Sequence, residues 1–199
     1  MRADILASFP NGAWNLGAAH GAPGVIALLA RAHAAGVPTA RPLLDRAVAW
    51  LLAQRLPADA GSAFPSFVAP DVVPGRSPVA WCYGDPGAAG ALFAVPELEV
   101  QARAIAELAA ARPIADSDVV EVSICHGSAG LAHIFNRLHQ STGSEVLRAS
   151  AQAWLGPVLD DWRPGAEPGL LTGAAGIGLV LLAAATDVEP RWDRLFLLS

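Results

Sequence analysis

Lysine is missing from this 199-residue chain: all thirteen cationic side chains are arginine, set against eighteen acidic ones for a formal charge of −5. No basic run is present that could track a phosphate backbone, which excludes nucleic acid as the expected partner. Charge of either sign is scarce, at 16% of residues against 53% hydrophobic. That balance suits one domain over residues 1–199 that buries roughly 70% of its unfolded surface. The segment Met1 to Asn11 lacks the charged region followed by an apolar core that marks a secretory signal. The expected compartment is therefore the reducing cytoplasm, where thiols stay unpaired. A membrane-spanning run is missing too. Leu170 to Ala185 comes nearest, but it is 16 residues long and broken by Gly173, Gly176 and Gly178, short of the roughly 20 a bilayer requires. It reads as a core helix.

Cysteine is nearly absent, and its placement is informative. The two that occur, Cys82 and Cys125, lie in glycine-marked segments, WCYGDPG at Trp81 to Gly87 and ICHGSAG at Ile124 to Gly130. A histidine, His126, directly follows the second. Cys82, Cys125 and His126 would give Zn²⁺ two thiolates and an imidazole, one ligand short of a closed structural site, leaving a position for substrate.

These segments belong to a repeat. Four GxxG pairs occur at Gly21/Gly24, Gly84/Gly87, Gly127/Gly130 and Gly173/Gly176, spaced by 63, 43 and 46 residues. Each is followed by an apolar, helix-permissive run, and the intervals from Arg41, Glu97 and Ser144 carry charges at helical spacing. Inner and outer helices therefore alternate, each hairpin burying its apolar face against its neighbours. Glycines at the start of the inner helices would let backbones approach closely at a crowded axis. A closed ring and an open solenoid fit this pattern equally.

The repeat register locates chemistry. Just before the first glycine of each pair stand His20, Tyr83, His126 and Thr172; one residue earlier stand Ala19, Cys82, Cys125 and Leu171. Equivalent positions share one rim, so Cys82, Cys125, His126, His20 and Tyr83 should converge there. His33, His133 and His139 lie away from the glycines and read as structural; Trp50 and Trp154 read as core. Trp81 either packs its loop or touches substrate. The proline-rich break from Pro57 to Ala80 reads as an irregular loop bordering a cleft. The break from Pro113 to Ser123, with Asp116, Asp118 and Glu121, reads as solvated loop.

The four segments NLGAAHGAPG (Asn15 to Gly24), WCYGDPG, CHGSAG and GLLTGAAGIGLVLL (Gly169 to Leu182), in that order, resemble the lanthionine synthetase C family of lanthipeptide cyclases. The resemblance implies an all-α fold, an α/α toroid of seven helical hairpins. About four of them are represented here, as an incomplete ring. It implies a zinc site at Cys82, Cys125 and His126. It also implies a reaction, the addition of a peptide cysteine thiolate to a dehydroalanine or dehydrobutyrine of the same peptide to close a thioether ring. His20, matching the family's AHG segment, is the candidate donor of the α-carbon proton, since histidine titrates near the working pH. Tyr83 would orient the thiol or the enolate.

Two departures stand out. Pro78 occupies the place of the arginine in the family's RxxWC pattern, with Arg76 the nearest substitute, and the family's aspartate upstream of AHG has no counterpart. The chain thus reads as the last four of seven hairpins: part of a longer polypeptide, a piece completed by a partner, or a degenerate relative. The expected partners are a dehydrated precursor peptide and either a dehydratase or an N-terminal cyclase portion. Alternative functions are a non-catalytic zinc-binding module that holds a peptide or small thiol, and a purely structural zinc scaffold, which the missing fourth ligand opposes.

Overall fold

The computed structural model describes residues 9–163 and 167–198; most of the N-terminal segment read above for a signal lies outside them. Among the described residues seven α-helices dominate: α1 (Ala22–Ala34), α2 (Ala40–Leu52), α3 (Asp85–Phe93), α4 (Glu99–Ala110), α5 (Ser128–Thr142), α6 (Glu145–Asp161) and α7 (Ala174–Ala185). The two short strands β1 (Trp14–Asn15) and β2 (Phe67–Val68) pair antiparallel.

The helices form two layers. The inner row runs α1, α3, α5, α7, and each of its first three members pairs with the outer helix that follows it: α1 with α2, α3 with α4, α5 with α6. The fourth unit is carried by α7, which packs against α5. The architecture is an arc of hairpins with the core between the layers, built on buried residues such as Ile26, Leu92, Ile105, Phe135 and Leu147.

Every inner helix begins the same way. The first glycine of each GxxG pair takes the N-cap position in extended conformation, with φ between −116° and −135°, which any residue could adopt. Glycine is required there for space. A Cβ on the first glycine would overlap backbone of its own turn, at Asn15 for Gly21, Pro78 for Gly84, Ser123 and Glu121 for Gly127, and Glu167 for Gly173. A Cβ on the second would overlap the carbonyl of Ala18, Trp81, Ile124 or Leu170. The crowding expected between neighbouring helices thus lies mainly within each turn, which folds back tightly on its own preceding segment. In α1 and α3 a proline follows in the first turn, where no N–H is needed for the ladder.

Past α7 the chain turns inward. A 3₁₀ turn at Arg191–Phe196 lies against α1 and α5, and Leu198 just after it reaches Gly90 of α3. Asp193, fully buried, accepts from Arg137 Nε at 3.0 Å and meets His133 Nε2 at 3.1 Å. Trp192 stacks on the His133 ring at 4.5 Å, and Arg31 donates to the Arg194 carbonyl at 3.2 Å. This fixes two roles left open or read as structural. Trp81 packs edge-on against Phe196 and donates its indole N–H to the Phe196 carbonyl at 3.0 Å. His133 is a buried partner of Asp193. His139 meets the Ser144 carbonyl at 3.0 Å, and His33 is exposed on α1.

The core-helix reading of Leu170 to Ala185 holds on one face only. Ile177 and Val180 are buried, whereas Leu182 is 51% exposed at the end of the arc. Among the described residues no helix is long and apolar enough to cross a membrane.

The proline-rich segment 57–80 is anchored. Both Asp85 carboxylate oxygens accept from its backbone, Ala63 N at 2.6 Å and Phe64 N at 3.0 Å. Arg112 donates to the Ser77 carbonyl at 2.6 Å and to that of Gly61. Its strand β2 reaches across to β1, pairing Asn15 with Phe67.

Candidate metal centre

The four glycine turns are joined by one backbone ladder. Ala19 N donates to Cys82 O at 3.4 Å, Cys82 N to Cys125 O at 3.2 Å and Cys125 N to Leu171 O at 3.0 Å. These are the equivalent positions, two residues before each first glycine, so the ladder brings consecutive turns together at that residue. Gly17 allows the first turn to rest directly on the Cys82 carbonyl, which a Cβ would overlap. Two cysteines at adjacent rungs therefore face one another because the rungs are hydrogen-bonded.

The Sγ atoms of Cys82 and Cys125 and a ring nitrogen of His126 all lie within 4.8 Å of one another, and Cys82 Sγ is 3.9 Å from His126 Nδ1. With bonds of about 2.3 Å to sulfur and about 2.0 Å to nitrogen, tetrahedral zinc sets its donors about 3.5 to 3.8 Å apart. The cluster fits that geometry after a small contraction. Its donors also suit zinc, a borderline-soft ion that takes soft thiolate and imidazole together. Both cysteines are free.

Burial is graded across the site. Cys82 is 4% exposed, Cys125 is half-buried and the His126 side chain is 34% exposed, so the cluster opens on one side. The two thiols perturb each other. The close approach of Cys82, opposed by burial and helped by His126, pulls Cys125 down to about 6. The same approach to Cys125, together with burial, pushes Cys82 up. Cys125 is thus the thiol that ionises more readily and Cys82 the one that holds its proton.

Tyr83 joins the cluster, its ring 5.9 Å from that of His126. Burial, then the neighbouring Cys82 and Cys125, pushes its phenol up, which keeps the hydroxyl protonated and able to donate. His20 stands on the same rim one rung away, tied there through the Ala19–Cys82 bond. Its side chain is exposed and lines a cavity of about 520 Å³ with Trp14, Val25 and Trp50. Arg76 forms an exposed ion pair with Asp118 at 3.3 Å.

One residue set aside in the sequence belongs to the site. Glu121, read above as part of a solvated loop, places Oε1 3.1 Å from His126 Nε2. A signal for it was present in the register: Glu121 lies six residues before Gly127, as Glu167 does before Gly173.

A family model described as lanthionine synthetase C-like protein matches residues 3–197. The chain belongs to the lanthionine synthetase C-like family. Among solved structures it is similar to nisin cyclase, with a TM-score of 0.83 at 22% identity, covering 100% of this chain and 53% of that one. The chain therefore spans about half the length of nisin cyclase, and the arc corresponds to part of a helical toroid. No curated protein sequence matches it significantly. The toroid expectation, rather than an open solenoid, is the one that agrees with this fold.

Proposed function

We propose that this chain carries the metal half of a zinc-dependent peptide cyclase, with Cys82, Cys125 and His126 as ligands. The observation that carries the reading is the convergence of two thiols and one imidazole, within 4.8 Å, on an open rim of a cyclase-type fold. Zinc bound there would hold an incoming peptide thiol as its thiolate at neutral pH, well below the usual cysteine pKa of about 8.5.

The chain's own residues supply the remainder. Cys82 and Cys125 bring negative charge to the site, which keeps a neighbouring sulfur nucleophilic. When that sulfur adds to the β-carbon of a dehydrated residue, electron density moves onto the amide carbonyl, and the α-carbon then takes up a proton. His20 on the same rim donates that proton, and the protonated Tyr83 hydroxyl orients the thiol or stabilises the developing enolate. The substrate is a dehydrated precursor peptide, bound along the rim between His20 and the thiols.

The test has two arms. Purified protein should carry about one zinc per chain, and Cys82→Ala or Cys125→Ala should remove it; stoichiometric metal in the double variant by elemental analysis overturns the site. His20→Asn should keep zinc yet lose ring closure, followed by mass spectrometry of a dehydrated peptide after thiol alkylation. A second reading, a zinc module that holds a peptide or small thiol without catalysis, is favoured by the engagement of Arg76 with Asp118 on the surface. It predicts thiol-dependent binding to the zinc protein with no ring formed.

A further inference from the structure

We propose that Glu121 is the positioning residue that presents His126 to the metal: by setting its carboxylate beside Nε2, it favours the proton there and so the tautomer whose Nδ1 lone pair faces the thiols. The inference rests on the reading of Cys82, Cys125 and His126 as ligands, and it is carried by the opposite edges of one ring. Nδ1 lies 3.9 Å from Cys82 Sγ while Nε2 lies 3.1 Å from Glu121 Oε1. A neutral imidazole carries a single N–H, and the acceptor that this N–H finds decides which nitrogen is free to ligate. A carboxylate in that place locks ring orientation and raises the basicity of the ligating nitrogen. Because Glu121 engages the ring nitrogen directed away from the thiols, it supports a ligand and does not compete for the metal.

Glu121 is itself held. Ser123 Oγ donates to Glu121 Oε1 and accepts from His126 N at 3.4 Å, while the Glu121 carbonyl accepts from Ser128 N at 3.0 Å. The arrangement is a property of the repeat. In the next turn Glu167, at the same register position, accepts from Thr172 Oγ1 at 2.8 Å, and Thr172 stands where His126 does. The turn thus places its residue six before the first glycine against the residue one before it, and only at Glu121 does that contact fall on a metal ligand.

The experiment measures zinc affinity by competition with a chromophoric chelator for the wild type, Glu121→Ala, Glu121→Gln and Glu167→Ala. In parallel, ¹⁵N NMR of the metal-free proteins reads the His126 tautomer. Glu121→Ala should weaken zinc binding by about 10- to 100-fold, and Glu121→Gln by less, because its amide oxygen still accepts. Glu167→Ala should leave affinity unchanged. The metal-free wild type should show His126 protonated at Nε2, and Glu121→Ala a mixture of tautomers. Wild-type affinity and tautomer in Glu121→Ala overturn the proposal alone, as does an equal loss in Glu167→Ala, which would mark a general weakening of turns. If Glu121→Ala does not fold, affinity and ¹⁵N signature both unchanged in Glu121→Gln overturn it instead. A wild type that binds no zinc overturns the metal reading and this inference together.

Discussion

The third and fourth glycine turns have one backbone and two chemistries. Both pack their glycines against the carbonyls of the segment that precedes them, both occupy a rung of the same ladder, and both set a glutamate against the residue before the first glycine. The third turn carries Cys125 and His126 where the fourth carries Leu171 and Thr172. The turn is therefore an architectural device that brings equivalent positions together whatever occupies them, and the site arises where two adjacent rungs both hold cysteine. The second turn adds a contrast. It alone places an ionisable residue, Asp85, after the first glycine, where the others have Ala22, Ser128 and Ala174.

The glycines that the turns have in common carry the largest expected effect. Gly130→Ala and Gly176→Ala should each destabilise the fold by about 4 kcal/mol or more. The new Cβ meets a backbone carbonyl that cannot move aside, and this outweighs the gain of about 1 kcal/mol from alanine inside a helix. Equal losses in urea denaturation would establish the turn as architecture; a loss confined to Gly130→Ala would tie glycine to the metal site instead.

Asp85 separates the second turn from the rest by pH. Burial, only partly offset by the N–H groups of Ala63 and Phe64 and by Arg112, raises its carboxyl from 3.8 to about 6. Because the folded value lies above the unfolded one, the associated stability is fully present below about pH 4. It is lost as pH rises through about 6, by on the order of 3 kcal/mol. The stability of the wild type minus that of Asp85→Asn should fall across this window. A difference that is flat with pH would mean that the carboxyl is ionised throughout.

The smallest effect belongs to the exposed side of the fourth turn's helix. Leu182→Ser should change stability by no more than about 0.5 kcal/mol, while Ile177→Ala on the buried side of the same helix should cost about 2 to 5 kcal/mol. Comparable losses at both positions in thermal unfolding would show that the exposed side is covered in solution.

The sequence determined the periodicity, the identity of inner and outer helices, and the register at which Cys82, Cys125, His126 and Tyr83 meet, because a repeated glycine spacing dictates a repeated backbone and equivalent positions fall on one rim. It also placed His20 on that rim, since a backbone register needs no knowledge of side-chain direction. Side-chain orientation and distant chain crossings become visible in the folded chain alone. Glu121 looked like one of three carboxylates in a polar loop, and it is distinguished from Asp116 and Asp118 by the fold of a turn that aims it at His126 Nε2. Trp81 could not be separated from a substrate contact until its partner was seen to be Phe196, 115 residues away. The apolar run of the last inner helix gave no sign of its half-exposure, because hydrophobicity records a capacity for burial and the neighbouring elements decide how much of it is used.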